Sequence, residues 1–99
     1  MTAAPPVPVV PIAEAVWRSP AVVEGRVRSL RVRPWGDSPT LEVVLVDGSG
    51  GLTLVFLARR RLPGVQLGTL LRAEGTVGSL DHTPAILNPR YTILPAPAA

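Results

Sequence analysis

A chain of 99 residues, 46% hydrophobic and 17% charged, has room for one small domain with a single core and is too apolar for a disordered polymer. It contains no cysteine, which excludes a disulfide framework, a thiolate metal site and a cysteine nucleophile. The net charge is +3 and all ten basic residues are arginine in a composition typical of GC-rich coding, so the positions of the arginines carry more information than their type.

Residues 2–11, TAAPPVPVVP, form a Pro-rich lead expected to be extended. It has no basic start and is broken by prolines, so it reads as a linker or arm and not as a secretion signal, and a cytoplasmic location is the default. IAEAVWRS predicts a short helix over 12–18, with Pro11 at its first turn and Pro20 ending it. Its apolar members Ile12, Val16 and Trp17 would cover one side of a core, with Trp17 plugging one end.

From residue 21 the pattern changes to strands. They are predicted at 21–33, 39–47, 51–57, 69–80 and 85–94. The second and third are joined by DGSGG (47–51), a tight-turn sequence. ARRRLPGVQLG (58–68) interrupts the strands as a short helix or loop, and PAPAA (95–99) is expected to be a disordered tail. The division is therefore an arm and short helix over 1–20, a β-domain over 21–94, and the tail. Every apolar run is interrupted well short of a membrane span.

The first strand poses a problem of step. In GRVRSLRVRPWG (25–36) the arginines stand at 26, 28, 31 and 33, so strict alternation would put two on each face. The apolar residues make the same jump. A β-bulge at Ser29–Leu30 resolves both. Val23, Gly25, Val27, Leu30 and Val32 then point inward, and Glu24, Arg26, Arg28, Arg31 and Arg33 point outward. Five strands with a long bent first strand and a non-strand insertion after the third predict an all-β, five-stranded Greek-key barrel.

VEGRV (23–27), LVDGSGGLTLVFL (45–57), GTLLRAEGTVG (68–78) and LNPRY (87–91) follow one another in the order and spacing of a known family. Over about residues 21–94 the chain resembles the OB-fold nucleic-acid-binding domains of high-GC (actinobacterial-type) bacteria. It is also similar to the more distant wedge domain of RecG-type branch-migration helicases. PIAEAV (11–16) resembles the lead-in of the stand-alone members.

The resemblance implies a cleft on strands two and three, flanked by the turns RPWGDSP (33–39) and SLDHTP (79–84). Such clefts hold single strands with basic grooves and aromatic platforms. The candidate residues are Trp35 for stacking; Arg28, Arg31 and Arg33 for phosphates; Arg59, Arg60 and Arg61 as added charge; and His82 at the second turn. The expected ligand is single-stranded or branched DNA, bound without strong sequence specificity by an accessory module.

A second reading competes. With Leu41, Val43, Leu45, Leu52, Leu54 and Phe56 inward, the outer face of strands two and three carries Val44, Val46, Val55 and Leu57 with Glu42 and Thr53. Apolar faces mark contacts, so this one predicts a protein partner, a second copy, or cover by the N-terminal arm. The arginines also have an ordinary reading as cross-strand partners of Glu24, Glu42 and Glu74, least so for Arg33. Trp35 can equally pack over the barrel rim, and Tyr91 would finish the fifth strand at the barrel edge. Ser79, Asp81 and His82 crowd one turn without the geometry of a triad, the acids are scattered, and the lone His82 has no metal partners. An enzyme, a cofactor, a metal and a small-molecule substrate are therefore not expected.

Overall fold

The computed structural model describes residues 7–96, so the ends of the predicted arm and tail lie outside the described residues. Its strands are β1 (Pro20–Trp35), β2 (Ser38–Val46), β3 (Gly51–Leu57), β4 (Leu70–Leu80), β5 (Thr83–Leu87) and β6 (Arg90–Ile93). β1 changes partner halfway. Pro20 to Arg26 run antiparallel to Thr76 to Leu70 of β4, and from Arg26 onward the strand pairs with β2. The register slips between Val27 and Ser29, which makes Arg28 the extra residue of a bulge. The bulge lies slightly earlier than predicted, with the predicted effect on sidedness. Leu30 and Val32 lie opposite Val43 and Leu41, whereas Ser29, Arg31 and Arg33 lie opposite Val44, Glu42 and Thr40.

Gly25 sits where β1 leaves β4 for β2. A β-carbon there would stand 2.5 Å from the Val46 carbonyl oxygen and 3.0 Å from Leu45 Cγ, so only glycine permits this approach. β2 continues antiparallel to β3, β3 lies parallel to β5, and β5 returns antiparallel to β4. The ring β1-β2-β3-β5-β4 thus closes on β1. This is the five-stranded OB-fold barrel expected from the sequence. Its interior holds Val23, Val43, Leu45, Leu52, Leu54, Leu71, Ala73 and Ile86.

Four expectations are corrected. Leu30 and Val32 do not enter the core; they are 37% and 46% exposed. β4 accompanies β1 only as far as Arg26, so inward-facing positions beyond it lie at an open border. The predicted helix shrinks to one 3-10 turn over Ile12–Glu14. Asp47 and Ser49 take the amides of Ile12 and Ala13 at 2.9 and 3.0 Å. Arg18, with a left-handed φ of 66°, donates its amide to the Val77 carbonyl and draws the following chain out of the helix.

Trp17 consequently plugs nothing. It is 58% exposed, with the Arg18 guanidinium 4.3 Å from its ring centroid. The predicted fifth strand divides at Asn88–Pro89, because Asn88 turns left-handed and closes β5 onto β3. Its amide donates to the Val55 carbonyl and its side-chain oxygen accepts the Leu57 amide. The second piece, β6, continues along β4 on the side away from β1, pairing Arg90–Ile93 with Glu74 to Leu71. Tyr91 in it meets Phe56 edge-to-face with ring centroids 5.5 Å apart. The segment after β3 is a loop of turns that sends Leu62 into the core.

The N-terminal arm is tied down at two points. Val9 bridges Val22 in parallel, and Val10 donates its amide to the Val22 carbonyl. Asp47 fixes the far end: Oδ2 accepts the Ile12 amide, and Oδ1 accepts Ser49 Oγ and the amides of Ser49 and Gly50. These donors, led by the Ser49 hydroxyl, outweigh partial burial and lower the Asp47 carboxyl to about 2. The arm covers the end of the barrel rather than the outer face of β2 and β3.

Two measurements test these constraints. In urea titrations, Gly25→Ala is expected to lose about 2–3 kcal/mol through overpacking, whereas Gly48→Ala, where a β-carbon meets nothing within 4 Å, stays within about 0.5 kcal/mol. Asp47→Ala is expected to lose about 1–2 kcal/mol at neutral pH. Because the folded carboxyl titrates below its unfolded value of 3.8, the unfolded chain binds more protons between those values. The Asp47 contribution is therefore complete above about pH 4 and disappears as pH falls through about 2, so wild-type and variant stabilities converge in acid.

Candidate nucleic-acid interface

The two hairpin turns that border the outer face both place residues in the left-handed region. β1 and β2 are joined by Gly36–Asp37 with Gly36 at φ +61°, the pattern of a type II′ turn. β4 and β5 are joined by Asp81–His82 at φ 50° and 66°, the pattern of a type I′ turn. The Thr83 hydroxyl donates to the Leu80 carbonyl at 2.6 Å beneath it.

These two hairpins bend over the outer face and meet. Arg33 of β1 lies 3.5 Å from Glu42 of β2 and 3.7 Å from Asp81 at the tip of the second hairpin. Beside this junction Trp35, Val55, Gly78, Leu80, Ala85 and Leu87 line an open apolar slot of about 160 Å³. Under the hairpins Thr40 is fully buried and Glu42 is 7% exposed, although both belong to the outward side of β2. Glu42 Oε2 and Thr40 Oγ1 are buried without an aligned hydrogen bond. Attraction to Arg33 is what Glu42 has in place of water.

The predicted site residues separate into groups. Arg31, Arg33 and Trp35 share the outer side of β1, and Arg28 stands at the other end of it. There Arg28 borders an open groove of about 540 Å³ with Val44, Val46 and the glycine-rich turn 48–51. His82 is exposed at the second hairpin tip, next to the Asp81 that reaches Arg33. Arg59–Arg61 are exposed just beyond Leu57, the partner of Thr40, so they leave the sheet at the end that carries the β1–β2 hairpin.

Ion pairing redistributes the arginines. Arg33, read from the sequence as a phosphate contact, is engaged by two acids. Glu24 pairs with Arg72 at 2.7 Å and Glu74 with Arg90 at 3.5 Å, not with the strand-one arginines. Arg26 donates to the Gly68 carbonyl. Among the described residues, Arg28, Arg31 and Arg59–Arg61 make no ion pair.

The apolar face read from β2 and β3 is also narrower than expected. Val55 is 2% exposed, covered in the slot, and Val44 and Val46 are half-buried, leaving Leu57 at 37%. The slot residues Gly78, Leu80 and Leu87 were missed. The alternation of β4 outward from buried Val77 carries the signal for Gly78 and Leu80, but nothing local shows that a distant tryptophan closes over them.

No model of a known protein family and no curated protein matches the chain. Among solved structures it is similar to the solution NMR structure of a replication factor A related protein from Methanobacterium thermoautotrophicum. The two share a TM-score of 0.71 at 16% identity, over 88% of this chain and 91% of that one. The likeness establishes the fold. Among the described residues no helix is long and apolar enough to cross a membrane, and no group of three or more His, Cys, Asp or Glu side chains is placed to hold a metal.

If Arg33 holds the two hairpins through Glu42, Arg33→Ala leaves a nearly buried carboxylate without its counter-charge. The expected loss is about 1–3 kcal/mol in urea titration. Glu42→Gln in the Arg33→Ala background should recover at least half of it. A loss unchanged by Glu42→Gln would show that Arg33 acts through something else.

Proposed function

We propose that this chain is an OB-fold module that binds single-stranded or branched DNA without strong sequence specificity, along the outer face of β1 and β2. The observation that carries the reading is the exposed row on β1: Arg28 and Arg31 without acidic partners, leading to Trp35 at the mouth of an apolar slot. From Arg28 to Trp35 the strand extends about 20 Å. Phosphates contact the two free guanidinium groups, a base stacks on Trp35, and Arg59–Arg61 and His82 border the path at the hairpin end. Arg33 serves as a positioning residue that keeps the hairpins together.

The fold likeness and the sequence resemblance to nucleic-acid-binding OB domains support the same reading. The RecG-type resemblance favours branched DNA as one of the ligands. In this reading the chain is a cytoplasmic, non-catalytic accessory module that uses no cofactor.

Fluorescence anisotropy of labelled single-stranded and forked DNA tests it. Affinity should fall with salt, with a log–log slope of about −2 to −4. Arg28→Ala with Arg31→Ala should flatten that slope by about 1–2, and Trp35→Ala should weaken binding by about 1–3 kcal/mol. Absence of binding at low salt, or equal affinity in the double variant, overturns the proposal.

A further inference from the structure

β1 has two stretches with an unpaired edge, and the chain treats them differently. Along its first half, where β4 occupies one side, the N-terminal arm covers the other through Val9 and Val10 at Val22. Along its second half β2 occupies one side, and among the described residues nothing pairs with the opposite edge beyond the contact of Val27 with Gly68 and Thr69. That edge, Ser29–Val32 up to Arg33, precedes Pro34, which has no amide to offer.

The side chains on this edge alternate in chemistry. Leu30 and Val32 stand at the end of two apolar rows. One row runs Leu54, Val43, Leu30 and the other Phe56, Leu41, Val32. Every row member except the last is buried, and the last is 37% and 46% exposed respectively. Both rows are therefore one residue short at the open border. Between and beside them stand Ser29, Arg31 and Arg33 on the other face, with Arg31 free of any ion pair among the described residues.

A second copy of the chain does not suit this edge. The antiparallel register that would lengthen both rows pairs Leu30 with Val32 of the partner subunit, which sets Arg31 against the partner's Arg31, and like charges in facing positions oppose pairing. The same arrangement favours acids. An added strand whose inward residues are apolar and whose outward residues are acidic would lengthen both rows and neutralise Arg31.

We infer that the open edge of β1 over Ser29–Arg33 is a β-augmentation site for an extended acidic segment of a partner protein, in which apolar and acidic residues alternate. This site is distinct from the outer-face DNA path, although Arg31 belongs to both. Apolar contacts at Leu30 and Val32 belong to the edge alone, so the two readings fail separately.

The test uses a labelled octapeptide of alternating valine and glutamate, with its valine–lysine counterpart and an oligothymidylate of similar charge as comparisons. The valine–glutamate peptide should bind saturably and shift backbone amide signals at Ser29–Arg33. Val32→Asp, a change at an exposed position, should weaken that binding at least about tenfold, whereas oligothymidylate, which loses only the field of one charge beside Arg31, should weaken by no more than about threefold. Thermal melting verifies that the variant is folded, and Leu30→Asp supplies an independent variant if it is not.

The inference is overturned if the valine–lysine peptide binds equally well, or if the acidic peptide shifts signals elsewhere. It is also overturned if Val32→Asp and Leu30→Asp leave peptide affinity unchanged, if no binding occurs at millimolar peptide, or if sedimentation shows the chain self-associating through this edge.

Discussion

The extra residue at Arg28 is the constraint on which the rest of the molecule depends. A single strand cannot pair with β4 along one half and β2 along the other without bending, and the bulge with Gly25 beside it provides the bend. Without the bulge, alternation would turn Arg31 and Arg33 to the inward side of the strand and Leu30 and Val32 to its outer side. With it, the ring closes around an apolar interior and the arginines stay on the surface. The change of step in the sequence is the covalent record of barrel closure.

Closure has a second consequence. It leaves the β1–β2 hairpin long enough to fold over the outer face, where it meets the β4–β5 hairpin through Arg33 and Asp81. This junction converts an exposed sheet face into a slot under Trp35, buries Val55 and encloses Glu42. Charge is sorted in the same step. Arg33 is used internally, and Arg28 and Arg31 remain as the unneutralised positive charge on that side of β1. A polyanion meeting this surface finds guanidinium groups first and an aromatic ring at their end.

Much of this was legible in the sequence because it depends on local rules. Valine-rich alternation, the DGSGG turn and the paired jumps around Ser29 gave the strands, their order and the bend. What stayed hidden depends on long-range partners. Leu30 and Val32 have the right sidedness, yet their exposure follows from where β4 stops. Val16 and Trp17 fit a helical period, but Arg18 turns left-handed and gives its amide to the Val77 carbonyl, distant in sequence, which ends the helix after one turn. Asn88 breaks a continuous-looking strand because its side chain finds the Leu57 amide. Glu42 as a cross-strand partner of these arginines was legible, but that it engages Arg33, with Asp81 joining from the second hairpin, lies beyond any local pattern.

Trp35 offers the most direct view of the central claim, because of the chain's two tryptophans Trp35 lines the slot and Trp17 does not. With Trp17→Phe, emission reports Trp35 alone as oligothymidylate is added. The account predicts saturable quenching that is reversed by salt, while a Trp35→Phe chain, reporting Trp17, remains unquenched. Unchanged Trp35 emission with DNA bound, or quenching confined to Trp17, would place the nucleic acid elsewhere and contradict the account.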